Sequence, residues 1–433
     1  MAWWPLNYLP RGRFTRRLAW LAGGMFAGQL LLVAAMPLLT RLYSPEAFGL
    51  FGVLAAFVGI FGTVMAGRYE FAIPLSAQDE DAAALGIAGT VLTCFLTAFA
   101  GLLVWAFGER LASATSMPRL ASLLWLLPPI LFLTGITQPL EYWSLRRDTM
   151  RLNAATRVAQ YGGQAVGQVA LGAAGAGAIG LTVGYGLGCF IRAAFFVAKL
   201  TPADREVLAT TPFTRVREIA WSMRRYPLLT TISSVVKSLT QFLPTILFAT
   251  LFGPAVAGGF DLAQRILAVP VRLVGSAASQ VFLAEASQRS VADVLRLLSR
   301  TIPRFLLLGI LGMTPILVAG PFLFAFAFGE PWREAGVFAQ ALVVLQLARF
   351  VQAPSSQSFN ILGRQDLELR TALLGVLSLS AIFGLIALLD AGPATAVLIY
   401  SIASAVGQVV MLHLTWQTVR KAAHRVSQDS PHE

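Results

Sequence analysis

The chain has 433 residues, of which 56% are hydrophobic and only 12% are charged, and its formal net charge is +12. A soluble domain carries about 25% charged residues, so this composition excludes a water-soluble protein of this size and favours one that exposes apolar surface to lipid. The positive excess is typical of the cytoplasmic loops of a membrane protein, and no aromatic and basic patch indicates a nucleic-acid partner.

Long apolar segments follow one another along almost the whole chain. The first follows Arg11, Arg13, Arg16 and Arg17 and continues to Thr40, which is too long for the apolar core of a cleaved signal peptide. Because a membrane-spanning helix needs about 20 apolar residues, the pattern predicts about twelve spans. They lie at 18–40, 47–66, 82–107, 120–143, 155–175, 178–199, 227–252, 256–284, 303–328, 335–362, 371–390 and 394–417.

The longest loop, at 200–226, divides the predicted spans into two sets of six. Its segment 213–225 mixes arginines with large apolar residues, a pattern typical of an amphipathic helix at a membrane interface. The turn at 44–49 resembles in outline the turn at 253–258, as expected of a duplicated lobe. We therefore predict an all-α fold with two pseudo-symmetric six-helix lobes around a central cavity, divided into an N-terminal lobe (1–200), a cytoplasmic linker (201–226) and a C-terminal lobe (227–433).

Lysine and arginine are unevenly distributed between the two sides of the membrane. With about twelve spans both termini lie on one side, whose loops carry about 24 of these residues against about four on the other side. Since positively charged loops stay in the cytoplasm, we predict that both termini are cytoplasmic.

Cysteines and histidines show no spacing that indicates a metal or redox site. Cys94 and Cys189 lie within predicted spans, and His413, His424 and His432 crowd the C-terminal end. The sequence therefore predicts no metal site and no cofactor.

The most informative residues are ionisable groups within the predicted spans. A charge at the centre of a bilayer costs at least about 2.5–3.5 kcal/mol, so it normally faces a cavity or a partner. Span eight carries Asp261, Arg265 and Arg272, whose spacing places them on one stripe of a helix. Lys237 in span seven and Arg349 in span ten are further cations.

These residues are mostly cationic, and arginine binds phosphate oxygens with a two-pronged geometry that lysine lacks. We therefore predict that Arg265, Arg272, Lys237, Arg349 and Asp261 bind an anionic substrate, with phosphate or pyrophosphate as the natural group. The alternative is a structural role, in which Asp261 and Arg265 form an internal ion pair.

Three further ionisable residues have other expected roles. Arg192 in span six is expected to reach the inner membrane interface. Glu141, near the inner end of span four, and Glu70, after span two, are candidate proton sites together with Asp261.

Four sequence stretches resemble a known family. They are TRLYSPEAFGLFG at 40–52, GRYEFAI at 67–73, GFDLAQRILAVP at 259–270 and GSAASQVF at 275–282. They are similar to polysaccharide flippases of the O-antigen or lipopolysaccharide type, within the multidrug/oligosaccharidyl-lipid/polysaccharide exporter superfamily.

The resemblance implies movement of an undecaprenyl-pyrophosphate-linked oligosaccharide across the bacterial cytoplasmic (inner) membrane, for lipopolysaccharide or exopolysaccharide synthesis, by alternating access. It also implies that cavity cations hold the pyrophosphate. Arg265 and Arg272 lie within the matching stretches, whereas Lys237 and Arg349 rest on the cavity argument alone. The expected partners are the lipid-linked oligosaccharide, membrane lipids and a coupling ion, either a proton or sodium.

Two other functions compete with this one. A cation-coupled drug exporter of the same superfamily would have a cavity rich in carboxylates and aromatic rings, whereas the acids within the spans are mainly Asp261 and Glu141. A membrane enzyme would need acidic or histidine groups in a sizeable external domain, which the short outer loops leave no room for. We therefore predict a transporter that is not an enzyme.

Overall fold

A computed structural model of the chain describes residues 13–115, 117–224, 230–275, 279, 291–354 and 365–428, and these residues are helical apart from short turns, with no β-strand among them. The α-helices, in chain order, are α1 (Arg13–Leu42), α2 (Pro45–Gly62), α3 (Asp79–Ala114), α4 (Leu120–Leu124), α5 (Leu127–Arg146), α6 (Met150–Ala173), α7 (Gly177–Ala198), α8 (Pro202–Thr210), α9 (Phe213–Ser222), α10 (Thr231–Phe252), α11 (Pro254–Pro270), α12 (Val291–Phe328), α13 (Arg333–Gln352), α14 (Gln365–Leu388) and α15 (Pro393–Gln428). Short 3₁₀-helices at Tyr69–Leu75 and Glu330–Trp332 and a π-helical turn at Val271–Gly275 complete the list.

The predicted all-α membrane fold is confirmed. Within the described ranges, nine helical segments are long and apolar enough to cross a bilayer, namely Pro45–Gly62, Asp79–Ala114, Leu120–Arg146, Gly177–Ala198, Thr231–Phe252, Ser299–Phe328, Glu330–Gln352, Thr371–Leu388 and Pro393–Arg420. The remaining three predicted spans coincide with α1, whose apolar part is Phe26–Leu42, and with the more polar helices α6 and α11. Parts of the predicted spans at 227–229, 276–278, 280–284 and 355–362 lie outside the described residues.

Helix α6 can contain polar residues because their side chains are buried against other helices rather than exposed to lipid. The Gln168 amide donates a hydrogen bond to the Leu181 carbonyl of α7 (2.9 Å), and the Tyr43 hydroxyl donates one to the Gln168 carbonyl (2.6 Å). A Cβ added to Gly184 of α7 would lie 2.6 Å from the Gln168 side chain. Small residues thus allow the close packing of α6 and α7 that is usual between membrane helices.

The chain forms two compact units, which are described separately below. The first comprises Met1–Tyr43 and Leu54–Ser238, and the second comprises Ser44–Val53 and Leu239–Glu433. Helix α2 therefore contributes its first residues to the second unit and the rest to the first. The predicted division into 1–200, 201–226 and 227–433 stays a prediction, as does the central cavity.

Helices α8 and α9 pack against one end of the first unit. Arg215 of α9 pairs with Asp81 of α3 (2.6 Å), and Arg147, just after α5, pairs with Asp204 of α8 (2.8 Å). Val216 is buried, while Trp221 is exposed on the same short helix. The amphipathic segment predicted at 213–225 is thus helical from Phe213 to Ser222, and its location at a membrane interface stays a prediction.

In the second unit, the start of α2 crosses the start of α11 at very short range. A Cβ on Gly258 would collide with the Pro45 carbonyl oxygen, and one on Gly49 would collide with the Pro254 carbonyl oxygen. The two turns whose sequences resemble each other, at 44–49 and 253–258, therefore contact each other through their glycines. This crossing holds residues 50–53 of α2 beside the part of α11 that carries Asp261.

Candidate functional site

Two of the predicted site residues form an ion pair on α11. The Arg265 Nε–H donates to the Asp261 carboxylate over 2.6 Å, and the two side chains are only 23% and 16% exposed. The Arg265 guanidinium also lies 5.4 Å from the centre of the Phe51 ring of α2. The local spacing of four residues places both groups on one face of the helix, so the pair forms as the structural alternative expected.

Helix α2 closes one side of this pair. A Cβ on Gly52 would lie 3.6 Å from the Asp261 carboxylate, which is ordinary van der Waals contact. At the α2–α11 crossing, Asp261 therefore lies next to the backbone of α2 at Gly52, and Arg265 lies over the ring of Phe51. A cation over a ring gains about 0.5–2 kcal/mol, depending on how fully it is desolvated.

Arg349 of α13 lies beside the same face of α11. Its Nη1 donates to the Gln264 side-chain oxygen over 3.4 Å, and the residue is half-buried. Gln264 lies three residues after Asp261, a spacing that makes their side chains neighbours on a helix, so Arg349 contacts α11 next to the side of the helix that carries the ion pair. Counted over the described residues, two cations and one anion give this polar region a formal charge of +1.

Arg272 and Lys237 lie in different surroundings from the pair. Arg272 lies in the π-helical turn that follows Pro270, and its side chain is exposed. Because proline lacks an N–H and a π-turn is wider than an α-turn, the register that would place Arg272 on the stripe of Asp261 and Arg265 is interrupted. Lys237 lies on α10, belongs to the first unit and is also exposed. The participation of both residues in one binding site stays a prediction.

The first unit contains a buried ionic cluster that the sequence did not predict. Glu141 of α5 accepts a hydrogen bond from Arg157 of α6 (2.7 Å) and another from Arg192 of α7 (2.6 Å). The three side chains are only 17%, 22% and 12% exposed, in that order. Arg192 was expected at the membrane interface, but in this unit it pairs with Glu141. The sequence separations of 16 and 51 residues gave no local signal for this cluster.

A second buried carboxylate lies in the turn between α2 and α3. Glu70 is only 1% exposed, and Arg68, whose backbone is left-handed (φ 61°), approaches it at 3.6 Å. Burial raises the pKa of Glu70 above its ordinary value of 4.5, and Arg68 opposes this shift only in part. Glu70 is therefore suited to carry a proton at a pH where an exposed glutamate is ionised.

In the part of the chain that the structure describes, no three His, Cys, Asp or Glu side chains cluster closely enough to hold a metal ion. Cys94 is exposed and Cys189 is buried, and neither forms a disulfide.

Comparison with known families supports the resemblance predicted from the sequence. A family model described as "Polysaccharide biosynthesis protein" matches residues 38–337. This range includes Glu141, Arg157, Arg192, Asp261 and Arg265, whereas Arg349 lies beyond its end. No match was found among curated protein sequences.

Solved structures with a similar fold are transporters. An inward-facing multidrug resistance transporter of the MATE family in the MOP superfamily is 16% identical, with a TM-score of 0.72 over 96% of both chains. The lipid II flippase MurJ, in an inward closed conformation, is 15% identical, with a TM-score of 0.69 over 93% of this chain and 89% of that one.

A third neighbour is a MOP superfamily transporter from Pyrococcus furiosus, for which a binding pocket of reversed polarity was described. It is 14% identical, with a TM-score of 0.61 over 96% of this chain and 97% of that one. At such identities the likeness shows the fold, so the chain has the MOP transporter fold that the sequence predicted. Because drug exporters and flippases share this fold, it does not choose between them.

Proposed function

Because the chain belongs to the family of polysaccharide biosynthesis proteins, we propose that it is a flippase for a lipid-linked oligosaccharide. The substrate is an oligosaccharide on undecaprenyl pyrophosphate, and it is carried from the cytoplasmic to the outer leaflet of the bacterial inner membrane. Both termini lie in the cytoplasm. The sugar and pyrophosphate cross within the protein, while the isoprenoid tail stays in the lipid.

The observation that carries this proposal is the polar region on α11 and α13. Arg265 pairs with Asp261, and Arg349 donates to Gln264 of the same helix. Arg349 lies on a segment that is long and apolar enough to cross a bilayer. A charge within a membrane protein is costly unless it faces a partner or a cavity. An excess of guanidinium over carboxylate therefore favours an anionic ligand, and the fork of an arginine matches the oxygens of pyrophosphate.

Each residue of this polar region has a separate role in binding the substrate. Asp261 and the Phe51 ring hold Arg265 in a fixed orientation, and an arginine carries five N–H donors, of which the bond to Asp261 uses one. Arg349, which contacts Gln264, adds the second cation. Arg272 and Lys237 are further cations that we assign to substrate binding. Alternating access then exposes these residues first to one side of the membrane and then to the other.

The test replaces both arginines of the matching stretch. We expect the Arg265→Ala, Arg272→Ala double variant to lose polysaccharide export in cells while the protein still appears in the membrane fraction. Arg333→Ala is the matched control, because Arg333 forms an exposed pair with Glu330 on the same unit and should leave export unchanged. Normal export by the double variant would overturn the pyrophosphate site.

A cation-coupled drug exporter remains the second candidate, favoured by the similarity to the MATE fold. It requires a site that attracts cations, whereas the region around Asp261 has two guanidinium groups for one carboxylate. Drug resistance on overexpression, without any effect on surface polymer, would favour this alternative over the flippase.

A further inference from the structure

The cluster of Glu141, Arg157 and Arg192 in the first unit carries more positive charge than it can neutralise internally. Glu141 is the one carboxylate that pairs with these two arginines among the described residues. The nearby pair of Arg68 and Glu70 is neutral in sum. The cluster therefore holds an excess charge of +1, and its three members are more than three-quarters buried.

The two arginines also have unused hydrogen-bond donors. In the described part of the chain, the Nε of Arg157 and the Nε of Arg192 are both buried without a hydrogen-bond partner, and so is the side-chain oxygen of Gln160 on α6. A buried donor left unpaired is costly, and the cost is higher when the donor is charged. A structural ion pair would be expected to satisfy these donors, whereas a ligand site has donors to spare.

The cluster lies near one end of each of its three helices. Glu141 lies five residues before the end of α5, Arg192 lies six residues before the end of α7, and Arg157 lies seven residues after the start of α6. At 1.5 Å per residue, each is within about 11 Å of its helix end. The turn that joins α5 to α6 is at the same end, which is the side predicted to be cytoplasmic. A long arginine side chain this close to the end of a membrane helix can extend toward the headgroup region, where lipid phosphates lie.

From the charge excess, the unused donors and this position near the helix ends, we propose that Arg157 and Arg192 form a second anion-binding site, which takes a phosphate group from a lipid at the membrane boundary. Glu141 occupies part of the donor set and holds the two guanidinium groups together when no anion is bound. If the proposed function is correct, the phosphate is that of the lipid-linked oligosaccharide as it enters the protein. An anionic phospholipid headgroup has the same chemistry, so the experiment separates the two sources.

The site predicts opposite effects for its acidic and basic members. Replacing Arg157 or Arg192 with Gln removes the excess charge but leaves Glu141 paired with the other arginine, so the unit keeps a balanced pair. Replacing Glu141 with Gln removes the internal competitor and leaves two unpaired cations. An anion site should therefore bind more weakly in the first two variants and more tightly in the third. A purely structural triad predicts no effect of any of them on anion binding.

The experiment measures binding to the purified full-length protein with Arg265→Gln in every sample, which weakens the site in the second unit. The probes are inorganic pyrophosphate, undecaprenyl phosphate and phosphatidylglycerol, and binding is followed by thermal shift and native mass spectrometry. We expect Arg157→Gln and Arg192→Gln each to weaken binding of a phosphate probe roughly tenfold, as loss of a charged hydrogen bond implies. Glu141→Gln should strengthen it. Arg157→Lys, which keeps the charge but loses the fork, should fall between.

The matched control is Arg215→Gln, which breaks an ion pair with Asp81 elsewhere in the same unit and should change no affinity. Preference for undecaprenyl phosphate over phosphatidylglycerol would assign the site to the transported lipid, and the reverse preference would assign it to a bulk headgroup. Equal affinity of the wild type, Arg157→Gln and Arg192→Gln for all three probes would overturn the site. If export is lost in the Arg265→Ala, Arg272→Ala double variant but is normal in Arg157→Gln, the proposed flippase function holds, and the second anion-binding site is not needed for it.

Discussion

The Glu70 carboxylate is almost fully enclosed by protein, and Arg68 approaches it at 3.6 Å. Burial disfavours its ionised form, and the Glu141 carboxylate adds to this, while a backbone hydrogen bond and Arg68 act in the opposite direction. The net result is a pKa above 4.5, so the folded protein binds a proton at Glu70 more readily than the unfolded chain does.

This pKa shift predicts a specific pH dependence of stability. The contribution of Glu70 is fully present below about pH 4.5 and is lost as the pH rises through its raised pKa, because the folded state must then hold a buried charge. Glu70→Gln does not titrate, so the Tm of this variant minus that of the wild type should increase with pH. Thermal unfolding in detergent across this range checks it. A difference that is constant with pH would mean that Glu70 has an ordinary pKa.

At the scale of single elements, helix α8 depends on Asp204 for both its start and its attachment. The Thr201 hydroxyl accepts from the Asp204 N–H (3.1 Å), and the Asp204 carboxylate accepts from the Thr201 N–H (3.1 Å) and from the Arg147 Nε–H (2.8 Å). Burial raises the pKa of Asp204, but these hydrogen bonds outweigh it, so the pKa lies below 3.8. The stability from Asp204 is therefore present above pH 3.8 and is lost as the pH falls through the lowered pKa.

We expect Asp204→Asn to loosen the attachment of α8 to the end of α5. Asp204 is the N3 residue of a capping box whose N-cap is Thr201, so the substitution weakens the reciprocal bond to the Thr201 N–H, and the charged bond from Arg147 is lost as well. Hydrogen exchange of the amides at 202–210 should become faster. Glu206→Gln is the control, because Glu206 is exposed on the same helix. Equal exchange in both variants would show that Asp204 does not hold α8.

The crossing of α2 and α11 predicts an unusual sensitivity at a small residue. Gly258→Ala adds one methyl group that would collide with the Pro45 carbonyl oxygen, so we expect a loss of about 1–3 kcal/mol, as for other overpacked sites. Gly384→Ala is the matched control, since nothing lies within 4 Å of its added Cβ and alanine favours helix over glycine. Thermal unfolding should separate the two variants. A Gly258→Ala protein as stable as the control would contradict the close crossing.

At the scale of the whole molecule, the features encoded by short stretches of sequence were the predictable ones. Apolar length located most of the membrane helices. The spacing of Asp261 and Arg265 offered their pairing as the structural alternative to substrate binding, and the pair forms. The cluster of Glu141, Arg157 and Arg192 was missed because its members come from three helices and meet only through packing. The prediction that Arg272 shares one helix stripe with Asp261 and Arg265 assumed an unbroken helix. Instead, α11 ends at Pro270 and a π-helical turn follows.

The two units each hold a region with two arginines and one carboxylate, on α5, α6 and α7 in the first and on α11 and α13 in the second. In the first region Glu141 pairs with both arginines, and in the second Asp261 pairs with Arg265 while Gln264 contacts Arg349. Among the described residues, each region has one more cation than anions. A protein that moves a pyrophosphate-linked substrate needs such partially neutralised sites, because a fully paired site would not attract the anion and a fully unpaired one would be costly to bury.

The most direct measurement is movement of a lipid-linked oligosaccharide by the purified protein in liposomes. A fluorescent undecaprenyl-pyrophosphate-linked saccharide is placed in both leaflets, and a membrane-impermeant reagent quenches only the outer one. With the protein present, we predict that quenching proceeds to nearly all of the probe, and that with the Arg265→Ala, Arg272→Ala variant it stops at the outer-leaflet fraction, as it does in empty liposomes. Quenching that stops at that fraction with the wild-type protein would contradict the flippase account.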